Sequence, residues 1–187
     1  IELTQWNDTD GDGYGDNING INGDVFPNDS SEWKDSDEDG VGNNADQYPY
    51  DPTQTVDSDG DGYGDNTNGT RGDVFPQDGT EWSDLDGDGI GNNADLFPSD
   101  GTQWNDTDSD GYGDNVNGAN GDSCPLINGN SSVILLGCTD SDGDGYADLI
   151  DAFISNALSW SDVDGDSIPD ELDAYPNDAT QSLDGDG

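Results

Sequence analysis

The chain has 187 residues, of which 45 are acidic, two are basic (Lys34 and Arg71) and none is histidine, for a formal charge of −43. Hydrophobic residues make up 28%, against roughly 45–50% in ordinary globular domains, which excludes a core of the usual kind. The charge excludes nucleic acid and anionic membrane surfaces as partners, because almost no cation is available to displace counterions from phosphate. No apolar run approaches the roughly 20 residues of a membrane span; the longest is Val133-Ile134-Leu135-Leu136, so no membrane insertion is expected. With no histidine, and neither cation in a motif with a nucleophile, nothing marks a catalytic centre.

Seven repeats run along the chain, each opening on Asp-x-Asp-x-Asp and numbered from its first Asp. The first, 8–34, has Asp8, Asp10 and Asp12 at positions one, three and five, Gly13 at six and Tyr14 at seven. Asp16 follows at nine. Five inserted residues then precede Asp24, the equivalent of position twelve, and Phe26-Pro27 and Asp29 occupy fourteen, fifteen and seventeen. The second, 35–56, is the short form: Asp35, Asp37, Asp39, Val41, Asn43, Asp46, Tyr48-Pro49 and Asp51. The third, 57–83, is long again, with Asp57, Asp59, Asp61, Tyr63, Asp65, Asp73 and Asp78. The fourth, 84–105, is short, with Asp84, Asp86, Asp88, Ile90, Asn92, Asp95 and Asp100. The fifth, 106–139, carries Asp106, Asp108, Asp110, Tyr112, Asp114 and Asp122, seven further residues and no Asp at seventeen. The sixth, 140–161, has Asp140, Asp142, Asp144, Tyr146, Asp148 and Asp151. The seventh, 162–183, has Asp162, Asp164, Asp166, Ile168, Asp170, Asp173 and Asp178, with Ser167 in place of the glycine at six. A partial eighth, 184–187, adds Asp184 and Asp186. All 40 Asp obey this register, which a disordered acidic tail has no reason to do.

Alternate carboxylates at positions one, three and five of a tight loop converge on one hard cation. Position seven offers a backbone carbonyl, nine a side chain or bridging water and twelve a further carboxylate, while glycine at six permits the sharp turn. That is the ligand order of an EF-hand loop, and oxygen-only ligands select calcium over softer metals. Magnesium is the weaker alternative, since it keeps its waters. Four carboxylates within about 5 Å repel by roughly 5 kcal/mol even at water's dielectric constant, more than the roughly 1–3 kcal/mol that 22 residues of ordinary protein contribute. Without a cation the repulsion wins, and the ion is expected to be structural. The spacing leaves no room for EF-hand helices, because ten residues and a proline at fifteen separate one short loop from the next.

This pattern resembles the thrombospondin type 3 repeats and their prokaryotic relatives, best seen in Asp140-Ser-Asp142-Gly-Asp144-Gly145-Tyr146-Ala-Asp148-Leu-Ile-Asp151. The resemblance covers essentially the whole chain. It implies an irregular fold, low in secondary structure, that winds as a linear, solenoid-like array around a string of calcium ions. It also implies two ions per repeat, about 14 in all against a minimum of seven, with positions nine, twelve and seventeen helping to build the second site. The family's cysteine at position fourteen is replaced by Phe26, Tyr48, Phe75, Phe97, Phe153 and Tyr175, and only Cys124 keeps the thiol.

Cys138 stands where Trp33, Trp82, Trp104 and Trp160 stand before the next repeat, so the two cysteines replace an aromatic pair and are expected to form a disulfide. By the same register Phe26–Trp33, Phe75–Trp82, Phe97–Trp104 and Phe153–Trp160 are expected to pack as small clasps; a glycan-binding platform is the other reading of these rings. The inserted Ile18-Asn19-Gly20-Ile21, Asn68-Gly69 and Val116-Asn117-Gly118-Ala119 carry a two-residue hairpin signal. Asn7, Asn28, Asn68, Asn105 and Asn130 lie in sequons and are candidate glycosylation acceptors. Thr4-Gln5-Trp6 reads as the tail of a preceding repeat and 184–187 as the start of another, so further repeats or copies of the chain are expected end to end. The reading that results is an extracellular or cell-surface structural module, a stalk, spacer or filament with an adhesive role, stiffened by calcium. A calcium-buffering or mineral-associated matrix protein is the alternative.

Overall fold

The computed structural model describes residues 7–181. The expected tail of a preceding repeat (1–6) and start of an eighth (184–187) lie outside the described residues. Among these there is no helix and no strand beyond three isolated parallel bridges, Gly15↔Gly23, Gly64↔Gly72 and Gly113↔Gly121. The irregular, low-secondary-structure fold follows from composition. Aspartate side chains compete with the backbone for hydrogen bonds, and glycine and proline interrupt every regular run. The chain divides into two compact units, Ile1–Leu85 with Gly91–Asn93 and Asp86–Ile90 with Ala94–Gly187.

One set of bonds recurs from repeat to repeat. The amide at position nine donates to the carbonyl just before position one, from Asp16 to Asn7 (3.0 Å) through Asp170 to Ser161 (2.9 Å). The side chain at nine accepts in return from the amide at position two, as Asp65 does from Ser58 and Asn43 from Ser36, both at 2.9 Å. Residue nine thereby closes the first loop of the repeat. A second closure follows position twelve, where the amide of Val25 donates to Trp33, Val74 to Trp82 and Ala152 to Trp160.

The interior these closures create is polar. Cys138 and Ala147 are the buried hydrophobic residues among those described, whereas Gln54, Gln103, Asp73 and Asp122 are nearly inaccessible to water. Gln54 reaches forward into the next repeat, donating through Nε2 to the carbonyls of Asn66 (2.8 Å) and Thr70 (3.0 Å) and accepting from the Asn66 amide at Oε1. Gln103 does the same with Asn115 and Ala119. Glu32 and Glu81 hold this place ahead of the short repeats and accept the amides of Asn44 and Asn93. The asparagine replies through Nδ2, as Asn66 does to Thr53 and Asn93 to Thr80. Glycine at position eight makes room, since a Cβ on Gly42, Gly64, Gly91 or Gly113 would fall on the glutamate or glutamine.

The inserted residues form turns but not hairpins. The amide of Gly20 donates to Asn17, Gly69 to Asn66 and Gly118 to Asn115, and the flanks then meet in the parallel bridges instead of an antiparallel pair. The Asn-Gly signal marks a reversal only; Asn22, Arg71 and Asn120, with φ of 56°, 50° and 48°, bend the chain a second time and reset its direction.

The rings also pair otherwise than expected. The stacked pairs are Tyr14–Trp33, Tyr63–Trp82 and Tyr146–Trp160, with centroids 4.8–4.9 Å apart and planes within 5°. The expected clasps Phe26–Trp33, Phe75–Trp82, Phe97–Trp104 and Phe153–Trp160 are not among these ring pairs. Each second closure turns the indole back onto the residue at position seven of its own repeat. The fourth repeat has Ile90 at that position, and its Trp104 is 39% exposed, close to the 42% of the stacked Trp160. Cys124 and Cys138 are joined as the register required.

Candidate metal centres

Within six of the loops the carboxylate at position one is bound by the turn it organises. Asp57 accepts the amide of Gly60 at Oδ1 (2.6 Å) and that of Gly62 at Oδ2 (2.9 Å). Asp35, Asp106, Asp140 and Asp162 repeat the arrangement. Donation from positions four and six requires both to be left-handed, and both are. Gly60 and Gly62 have φ of 83° and 92°, and Glu38, Ser109 and Ser167 accept the same region at 67°, 64° and 73°. Ser167 therefore does the work of the missing glycine, at a cost of about 1–2 kcal/mol.

Positions three, five and twelve behave differently. In the third repeat one oxygen of each accepts a local amide: Asp59 from Asp61, Asp61 from Tyr63, Asp73 from Phe75. The other, Oδ2 of Asp59, Asp61 and Asp73, is buried with no hydrogen-bond partner. The same holds for Asp10, Asp12 and Asp24 in the first repeat, Asp142 and Asp144 in the sixth, and Asp164 and Asp173 in the seventh. Asp37 and Asp108 have both oxygens in that condition, and Asp46, Asp88, Asp95 and Asp122 have one. A buried carboxylate oxygen without a partner carries a desolvation penalty. In Asp8/Asp10/Asp12, Asp35/Asp37/Asp39, Asp57/Asp59/Asp61 and Asp106/Asp108/Asp110, one oxygen from each member lies within 4.8 Å of the others, close enough to hold a metal ion. The donor set is entirely carboxylate and carbonyl oxygen, which suits a hard cation such as calcium. Asp84 belongs to the first unit and Asp86 and Asp88 to the second.

The acidities follow this division. Burial, then the charge of neighbouring carboxylates, pushes Asp24, Asp73, Asp122 and Asp151 above the usual carboxylate range, against the pull of one backbone amide each. Burial likewise raises Asp37, Asp108 and Asp164. At position one burial is outweighed by donated amides, and Asp35 and Asp57 are lowered. Tyr48, partly buried and hydrogen-bonded to Asp57 at 3.3 Å, is pushed up to about 12.

Positions nine and seventeen are engaged in turns. Asp65 accepts both the amide and the hydroxyl of Ser58, and Asp114 and Asp148 accept the same pair from Thr107 and Ser141. Asp29, Asp51, Asp78, Asp100 and Asp178 each accept the hydroxyl two residues on at 2.6 Å. These hydroxyl bonds lower Asp16, Asp29, Asp51, Asp78, Asp170 and Asp178. At position seven, Tyr14, Val41, Tyr63, Ile90, Tyr112, Tyr146 and Ile168 donate their amides to the carboxylate at five. The fifth loop alone is covered by its own insertion, where the Gly129 amide donates to Asp110 Oδ2 at 3.1 Å.

The sequence reading passed over the asparagine at position ten and the left-handed residue at four. Both recur often enough to have been noticed: Asn44, Asn66, Asn93 and Asn115 in one case, glycine in five of seven repeats in the other. The sequon residues Asn7, Asn28, Asn68, Asn105 and Asn130 are all exposed. No helix among the described residues is long and apolar enough to cross a membrane. Compared with known proteins, the chain matches no protein-family model and no curated protein.

Proposed function

We propose that this chain is a calcium-binding structural module of the thrombospondin type 3 kind, a linear array of ion-filled loops that acts outside the cytoplasm as a stalk, spacer or filament. The observation that carries the reading is the set of inward, unpartnered oxygens at positions three, five and twelve, beside a position-one carboxylate that accepts one amide at each oxygen. A cation satisfies them together without altering the loop. The carbonyls at position seven complete the ligand set in each repeat, and the carboxylates at nine and seventeen contribute to a second ion through their remaining lone pairs.

The polar clasps from Glu32, Gln54, Glu81 and Gln103 join each of the first four repeats to the next, as a nearest-neighbour array requires. Fourteen ions would cancel 28 of the 43 negative charges and leave the array soluble. Affinity in the range of extracellular modules, roughly 10⁻⁴–10⁻³ M, fits a chain that also carries a disulfide. A calcium buffer would need no such defined geometry. Metal counting by native mass spectrometry, with circular dichroism during a calcium titration and its reversal by EGTA, tests the proposal. Seven or more ions and a reversible gain of structure are expected; fewer than seven would sink it.

A further inference from the structure

Tyr63 in the third repeat has ring contacts of two kinds. Trp82 stacks on one side at 4.9 Å, and the guanidinium carbon of Arg71 lies over the ring, 5.8 Å from its centroid. That is within the range in which a cation is held by the negative face of an aromatic ring. The first repeat has the same backbone 49 residues earlier. The Gly15 amide donates to Asn22 at 3.0 Å as Gly64 does to Arg71, and Asp24 to Gly15 at 2.8 Å as Asp73 does to Gly64. Asn22 has φ of 56° where Arg71 has 50°. Tyr14 stacks on Trp33 just as Tyr63 stacks on Trp82.

The cation alone is missing, because Asn22 is too short to reach over the ring. In its place the first repeat has a cavity of about 320 Å³ lined by Tyr14, Asp8, Asn7, Ile21 and Asn22. We propose that this cavity is a receptor for an arginine side chain of a partner protein, which Tyr14 holds as Tyr63 holds Arg71. The third repeat supplies the occupant's chemistry from within the same molecule. Ile21, 69% exposed, covers the aliphatic stem. A second copy of the chain is a poor donor, since its one arginine already lies over Tyr63 and its other cation is Lys34. The partner is therefore a different polypeptide with an accessible arginine.

The test uses the full chain in saturating calcium and the peptide acetyl-Gly-Arg-Gly-amide, with binding read from the NMR shifts of the Tyr14 ring and the Trp33 indole. The citrulline peptide, of the same shape without the charge, is the control. Wild type is expected to bind the arginine peptide at least tenfold more tightly than the citrulline peptide. Asn22→Arg should fill the cavity from within and weaken binding at least tenfold. It should leave the fold intact, because Arg71 already adopts this backbone. Arg71→Asn should open a second site, with new shifts at Tyr63 and Trp82. Equal binding of the citrulline peptide, or binding undiminished in Asn22→Arg, would overturn the proposal. The calcium-dependent near-ultraviolet circular dichroism of the same samples reports separately on the metal reading.

Discussion

Where the second repeat meets the third, Gln54 is buried and makes three hydrogen bonds into its neighbour, with Gly64 providing the space. Where the fifth meets the sixth, Gly137 holds the place of that glutamine and the buried Ala147 that of the glycine. The connection there is made by backbone. Ser132 and Val133 donate to Gly145, and Cys138 is tied to Ser131 inside the disulfide ring. The sixth and seventh repeats follow the second scheme in part, with Ser159 and Pro169 at these two places. Large side chain with glycine, small side chain with alanine or proline: the two positions compensate in volume within one chain. Four junctions thus rest on a polar side chain in a backbone socket, and one on backbone bonds from a loop that a disulfide closes.

Chelation should affect the two regions most strongly and unequally. Removing calcium with EGTA is expected to abolish the near-ultraviolet signal of the three tyrosine–tryptophan stacks. In hydrogen exchange the amides of Asn66 and Asn115 should become as labile as in an unfolded chain. The Cys138 amide, inside its disulfide ring, should keep measurable protection. Equal loss at all three would mean that the ring adds nothing of its own.

The next largest effect tests the clasp. Gln54→Glu would set a carboxylate against the carbonyls of Asn66 and Thr70, to which the amide now donates, and should cost about 3–4 kcal/mol. Denaturant unfolding in excess calcium, followed by Trp82 fluorescence, measures it. Replacing both cysteines by serine should cost about 3 kcal/mol, the loop-closure value for a ring of this size. The exchange changes should be confined to the fifth and sixth repeats. The smallest effect is the mirror of the clasp test. Glu32→Gln keeps the acceptor that Asn44 uses, and stability should change by less than about 1 kcal/mol. A loss as large as that of Gln54→Glu would show that the charge itself, and not the hydrogen-bond pattern, selects the residue.

That selection was written in the sequence without being readable from it alone. Glutamine precedes the long third and fifth repeats and glutamate the short second and fourth. The reason becomes visible only when the insertion is seen to turn the carbonyls of Thr70 and Ala119 toward the side chain and so to demand a donor. A carboxylate suffices where the insertion is absent.

The aspartate register, the left-handed turn at position six, the scarcity of regular structure and the Cys124–Cys138 pairing were all fixed by residue type and spacing. Carboxylates two residues apart in a tight loop have few places to go, and a cysteine pair needs only a shared register to be matched. Ring partners and the course of the insertions were decided by the tertiary structure. Tryptophan stands seven residues after phenylalanine in the sequence, but the closure beyond position twelve folds it back onto a tyrosine much earlier in the same repeat. The Asn-Gly turns looked like hairpins, but a left-handed residue just beyond each turn bends the chain again and leaves a parallel bridge. Periodicity states which residues recur; which of them meet depends on how many times the chain turns between them.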